Sequence, residues 1–252
     1  MRRWLALILL ASAAPAWAAN SQGQSCKSAD TAGRFASCTI TGVTTGSTLA
    51  VAARSRTALA TPPTYAGTTD GTHTYSTIES EGEGGVALSA RLVLAYTASA
   101  TSGDFTVQVE FGDSGVTQAT QVVVSEIKGA DTGAPLDKSD IASQLNPGTG
   151  TDAVATPAVT PATDGQYVLV ALVHVDNTDL IAVGATPAFT ALESTGGTAF
   201  LVQYYIQPTA ASVTGVGTAT VGTNFFKNGI ATFKAASASG NAARMPLLGV
   251  GH

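Results

Sequence analysis

Phe105-Thr106-Val107-Gln108-Val109-Glu110-Phe111 alternates apolar and polar side chains without a break. Successive side chains of a strand point to opposite sides, so this segment is expected to be a strand with one wet face and one buried face. Gln121 to Ile127 reads differently: it is built on the unbroken β-branched run Val122-Val123-Val124. That run suits a strand in the middle of a sandwich. Lys128-Gly129 ends it, and Ala130 to Pro135 carries the Asp, Gly and Pro chemistry of consecutive turns. Leu136-Asp137-Lys138-Ser139-Asp140 is then expected to leave the sheet as an exposed polar loop.

The same reading extends along the chain. Cys38 to Val43 alternates, a Thr-Thr-Gly-Ser turn follows, and Leu49 to Ala53 continues, which predicts a hairpin. Asp70-Gly71 marks a tight turn between strands at Thr64 to Ala66 and His73 to Glu79. Glu81-Gly82-Glu83-Gly84-Gly85 reads as a loop, and Ala90 to Tyr96 as a strong apolar strand. The Pro, Gly and Thr-rich stretch from Pro147 to Thr151 is expected to cross between sheets. Further strands are predicted over 155–159, 167–174, 181–183, 199–206, 212–221 and 229–233. No later segment sustains a helical period and no exact internal repeat is present. Roughly a dozen short strands predict an all-β, antiparallel β-sandwich of jelly-roll or Ig-like type over residues 38–234.

The two ends are of another kind. Met1-Arg2-Arg3, the apolar run Trp4 to Leu10 and Ala16-Trp17-Ala18 supply the three parts of a signal peptide, so cleavage is expected after Ala18. The protein is then exported to the periplasm, cell surface or extracellular space, with the virion as the alternative. No later stretch approaches the ~20 apolar residues of a membrane-spanning helix. At the other end, Ala235 to Ala243 is a small-residue linker leading to Met245, Leu247, Leu248 and Val250. This tail is expected to lie apart from the sandwich, either as a disordered terminus or as a peptide that docks on a protein partner.

Composition narrows the partners. Charged residues make up 12% of the chain, and removal of Arg2 and Arg3 takes the formal charge from −5 to −7. With few, scattered cations, neither nucleic acid nor an anionic membrane is expected to bind. The two cysteines, Cys26 and Cys38, should pair in an oxidising compartment and close the segment 19–37.

Candidate chemistry is sparse. His73, His174 and His252 stand in no zinc pattern, and no Gly-x-Ser-x-Gly elbow exposes a nucleophile. Glu79, Glu81 and Glu83 are close enough to prompt a comparison with paired glycosidase acids, but a solvated acidic turn accounts for them better, since a flexible loop does not hold a fixed carboxyl separation. Asp137 and Asp140, and likewise Asp176 and Asp179, place oxygen ligands at short spacing, the minimum that calcium needs. Turn chemistry asks for the same residues. No catalytic residue and no other cofactor is assigned.

With the strands placed, several segments resemble a family of β-sandwich proteins and domains of tailed phages, prophages and some bacteria, described as surface- or tail-associated. They are Asp70-Gly71-Thr72-His73-Thr74-Tyr75, Leu92 to Tyr96, Phe105 to Val109, and Val122 to Gly129 with Pro135-Leu136-Asp137 behind it. The resemblance implies a non-catalytic sandwich and carries over no functional residues. The signal peptide and cysteine pair depart from it and favour an exported surface role. Two function classes follow: a structural or adhesion module with protein partners in a surface or virion assembly, and a carbohydrate-binding or carbohydrate-active jelly roll that meets glycans. Whether a concave face gathers acids with Tyr65, Tyr75, Tyr204 or Tyr205 discriminates between them.

Overall fold

The computed structural model describes residues 19–84, 88–112, 118–145, 150–175, 180–184, 186–192, 199–221 and 225–237. Residues 1–18, expected to be a signal peptide, Asp176, Asp179 and the apolar tail expected from Met245 to Val250 lie outside them. The described residues are all-β, with seventeen strands in four antiparallel sheets.

The first half of the chain supplies β1 (Ser21–Lys27), β2 (Thr31–Ala32), β3 (Phe35–Val43), β4 (Thr48–Thr57), β5 (Tyr65–Thr69), β6 (Ser76–Gly84), β7 (Ser89–Thr97), β8 (Gly103–Phe111) and β9 (Gln118–Lys128). One sheet has the order β1-β9-β4-β7-β6, with β2 also on β9, and a second has the order β3-β8-β5. The second half supplies β10 (Leu136–Leu145), β11 (Gly150–Val159), β12 (Gln166–His174), β13 (Leu180–Val183), β14 (Thr190–Ala191), β15 (Phe200–Gln207), β16 (Val213–Val221) and β17 (Phe225–Phe233). Its sheets run β10-β17-β12-β15-β14 and β11-β16-β13.

These two orders are the same order. Counting the eight main strands of each half, omitting β2, strands one, eight, three, six and five form the large sheet, and two, seven and four form the small one. This is jelly-roll topology in which the fifth strand pairs with the sixth instead of joining the small sheet. The chain is therefore two topologically equivalent sandwiches in tandem.

Three apolar cores separate the four sheets. Val51, Val93, Val107, Val109, Phe111 and Val124 fill the space between the large and small sheets of the first sandwich. Val168, Val170, Leu172, Leu201, Phe226 and Ile230 do the same in the second. Between the two large sheets lie Ala50, Ala52, Leu92, Leu94, Val123 and Ile127 from one side and Leu169, Ala171, Phe200, Val202, Ala231 and Phe233 from the other. Each sandwich presents the corresponding face of the corresponding strands. Gly229 sets the closeness of this contact, since a Cβ there would meet Leu92 Cδ2, Leu94 Cδ1 and Ile141 Cγ1 at 3.1 Å each.

Layer position explains the two strand patterns. β8 lies in an outer sheet and alternates between exposed and buried, whereas β12 lies in an inner sheet and is buried at every position. The expected hairpin of 38–43 with 49–53 is not formed for this reason. β3 pairs with β8, while β4 pairs with β7 and β9, so the turn at Thr44 to Ser47 carries the chain between sheets. Gly46 at φ 83° makes that crossing, and Gly165 at φ 71° stands at the matching place before β12.

Two expected loops are strands. Leu136 to Asp140 opens β10, an edge strand paired with β17, and Glu81 to Gly84 completes β6, paired with β7. Both are edge strands of a large sheet and can be polar without leaving it. The disulfide between Cys26 and Cys38 is present and ties β1 of the large sheet to β3 of the small one.

Candidate functional site

The bonded polar groups of the fold gather in three places, of which sequence reasoning pointed to the first two and missed the third. The first is the Asp70 turn. Asp70 Oδ1 accepts the amides of Thr72 and His73 at 2.8 Å each, as an Asx turn does. Its Oδ2 accepts His73 Nδ1 at 2.7 Å and the Tyr75 hydroxyl at 3.0 Å. Burial by itself would raise the Asp70 carboxyl, but these donors hold it below its ordinary value. Burial and the neighbouring Asp70 charge push the Tyr75 hydroxyl upward.

His73 has the outline of a relay, with Asp70 on one nitrogen and Thr101 Oγ1 3.2 Å from the other. Its chemistry is different. The Thr101 amide donates to Nε2 at 3.0 Å, so that lone pair is already used and cannot take a proton from the hydroxyl. The ring also packs edge-on to Phe105, with centroids 4.7 Å apart. This cluster fastens the β5–β6 connection to the β7–β8 connection.

The second place is the acid stripe on β6. Glu79, Glu81 and Glu83 share one face of an edge strand and look across to β10 and β17. The Ser139 hydroxyl donates to Glu79 at 3.2 Å, and the Ser143 hydroxyl donates to Glu83. Lys227 Nζ lies 2.8 Å from Glu81 and 3.8 Å from Glu83, and it donates to Ser143 Oγ at 2.8 Å. The acids therefore join the two sandwiches and are not the solvated turn that the spacing predicted. The sequence carried no sign of Lys227, which is brought in by tertiary pairing.

The third place is β9 itself, whose neighbouring residues Glu126 and Ser125 bond on opposite faces of the large sheet. Glu126 accepts the Gln24 amide at 2.9 Å, the Thr44 amide at 2.7 Å and the Ser47 hydroxyl at 2.8 Å. Burial opposes its charge, yet these donors win and hold the carboxyl below its usual range. On the opposite face, Ser125 Oγ lies 2.8 Å from the Tyr167 hydroxyl, which also donates to Gln22. Tyr167 belongs to the second sandwich, so this contact too crosses the central layer. Burial pushes its hydroxyl well up.

The remaining candidates are dispersed. Asp137 lies on β10, where its Oδ2 accepts the Ala162 amide at 2.6 Å and Gln166 Nε2 at 2.7 Å. Asp140 Oδ1 accepts the Ile141 amide at 2.8 Å. Among the described residues no group of three or more His, Cys, Asp or Glu is placed to hold a metal ion. His174 is buried against Phe226, with ring centroids 4.5 Å apart. The tyrosines do not share a concave face: Tyr65 and Tyr75 pack on the first core, Tyr204 on the central one and Tyr205 on the last.

No family model matches the chain, and no curated protein does either. Among solved structures, the crystal structure of the STIV MCP is similar at 9% identity and a TM-score of 0.25, over 89% of this chain and 99% of that one. At that score the likeness carries no argument about topology or role.

Proposed function

We propose that this protein is a non-enzymatic structural module of an exported surface or virion-associated assembly. The observation that supports this reading is the engagement of its carboxylates. Glu79, Glu81, Glu83, Asp70 and Glu126 each hold parts of the fold together through the partners described above. Tandem sandwiches clamped through their large sheets leave two small sheets facing outward, an arrangement suited to making contacts on both sides. Thr-rich, weakly charged outer faces serve as contact surface, and the tail around Met245, Leu247, Leu248 and Val250 reaches a neighbouring copy or partner.

Light scattering of the mature protein at several concentrations tests the assembly. We expect association that rises with concentration and weakens when residues 238–252 are removed. A monomer at every concentration, together with hydrolysis of a glycan by the pure protein, would replace this reading with the carbohydrate-active one.

A further inference from the structure

Among the described residues two large apolar side chains are exposed. Phe35, at 41%, lies under the Arg34 guanidinium, which sits 4.8 Å from its ring centre. Leu145 is 64% exposed and stands at the last position of β10, a strand with a neighbour, β17, on one side only. Its direct cross-strand partner is Phe225, the first residue of β17, which is half-buried at the margin of the central core. Opposed residues of two strands share a face, so Leu145 and Phe225 form one apolar step at the end of the seam between the sandwiches. Two positions back along β10, Ser143 donates to Glu83, and Lys227 is shared between Glu81 and Glu83. This end of the seam therefore carries two carboxylates for one ammonium, beside the apolar step.

The other end of β10 is where the chain leaves the fold. Leu136 pairs with Phe233, and beyond that pair Lys234 N donates to the Pro135 carbonyl and Ala236 N to the Gly129 carbonyl, each at 2.7 Å. These bonds lead the chain past the end of β10, not back along it. Met245, Leu247, Leu248 and Val250 follow a linker of Ala, Ser, Gly and Asn, with Arg244 directly before them. β10 spans 10 residues, so Leu145 lies about 30 Å from this exit. The ten residues from Ser237 to Leu247 span about 16–19 Å as a flexible chain. Only a fully extended and reversed chain of that length, about 33–36 Å, would reach its own Leu145. A second copy set end to end brings its Leu145 beside the exit instead, and its surplus carboxylate faces Arg244. Within the assembly proposed above, on which this rests, we infer that the tail of one copy docks on Leu145 and Phe225 of the next, with Arg244 beside Glu83. The two sides of this contact lie at opposite ends of the molecule, so it is head-to-tail and adds copies into chains.

Sedimentation equilibrium of the mature protein and its variants tests this contact. Leu145→Ser should weaken association by about tenfold or more, since the docked tail loses its apolar seat. The tail variant Leu247→Ser, Leu248→Ser should do the same, and all three substitutions together should add little, because either change alone removes the contact. Phe35→Ser, on the small sheet of the first sandwich, should leave association within about twofold. The decisive arm mixes the Leu145→Ser protein and the tail variant in equal amounts. One supplies the tail and the other an intact Leu145, so dimers should form and nothing longer. Melting curves establish that the variants are folded. A natural protein that stays monomeric overturns the assembly, and this docking with it. If the natural protein associates but Leu145→Ser associates equally well, or the mixture stays monomeric, the docking alone is overturned. A monomeric mixture is the result expected where each tail covers its own Leu145 or binds a different protein.

Discussion

Glu126 shows how a single residue can hold three chain segments. Its carboxylate collects donors from the start of the chain at Gln24 and from the β3–β4 crossing at Thr44 and Ser47. Glu126→Gln would replace one acceptor oxygen with an NH2 donor facing either the Gln24 amide or the Thr44 amide and Ser47 hydroxyl, and we expect a loss of about 2–3 kcal/mol in denaturant melts. The pH dependence has a definite sign. The folded values of Glu126 and Asp70 lie below their ordinary ones, roughly 4.3 and 3.9 for Glu and Asp in unfolded chains. Their stabilisation is complete above those values and is lost as pH falls through the folded ones. The melting temperature should therefore drop on acidification below about pH 4, and less steeply in Glu126→Gln. An unchanged slope in that variant would contradict the assignment. Cys38→Ser tests another tie between segments: the short loop closed by the disulfide makes a loss of about 3 kcal/mol the expected outcome by the chain-entropy estimate.

At the scale of elements, the pattern of each strand reports its layer. Alternation in Phe105 to Phe111 identified an outer strand, and the unbroken apolar runs at Val122 and Val168 identified inner ones. Pairing was less legible. The turn at Thr44 to Ser47 looks local, but whether a turn closes a hairpin or arches between sheets depends on what the flanking strands bury. Polar edge strands such as β6 and β10 resembled loops because their outward positions need no apolar side chain. The acids on β6 were visible, while Lys227 was not, being 144 residues from Glu83 in the chain and joined to it only by folding. Since Glu81 is 48% exposed, Lys227→Met should cost no more than about 1 kcal/mol. Leu94→Ala, in the fully buried central layer, should cost about 2–5 kcal/mol. Chemical denaturation of the two variants distinguishes a contact made by packing from one made by charge.

At the scale of the whole molecule, the described residues form two sandwiches of equivalent topology without an exact repeat in sequence. The two sandwiches share strand order, the face they bury against one another and a positive-φ glycine before the third main strand, Gly46 and Gly165. What they share in sequence is short: Ile127-Lys128-Gly129-Ala130 and Phe233-Lys234-Ala235-Ala236 end the corresponding strands, and Ala130 and Ala235 meet in an antiparallel bridge. Topology can persist while side chains diverge, because a sandwich requires only apolar residues of suitable volume in the correct layer. The structural role proposed above would use the outward faces of such a body for contacts with neighbours. The most direct test is light scattering of the mature protein across a hundredfold range of concentration, beside a chain lacking residues 238–252. We predict association that grows with concentration and is weakened by the truncation; particles of monomer mass at every concentration in both chains would contradict it.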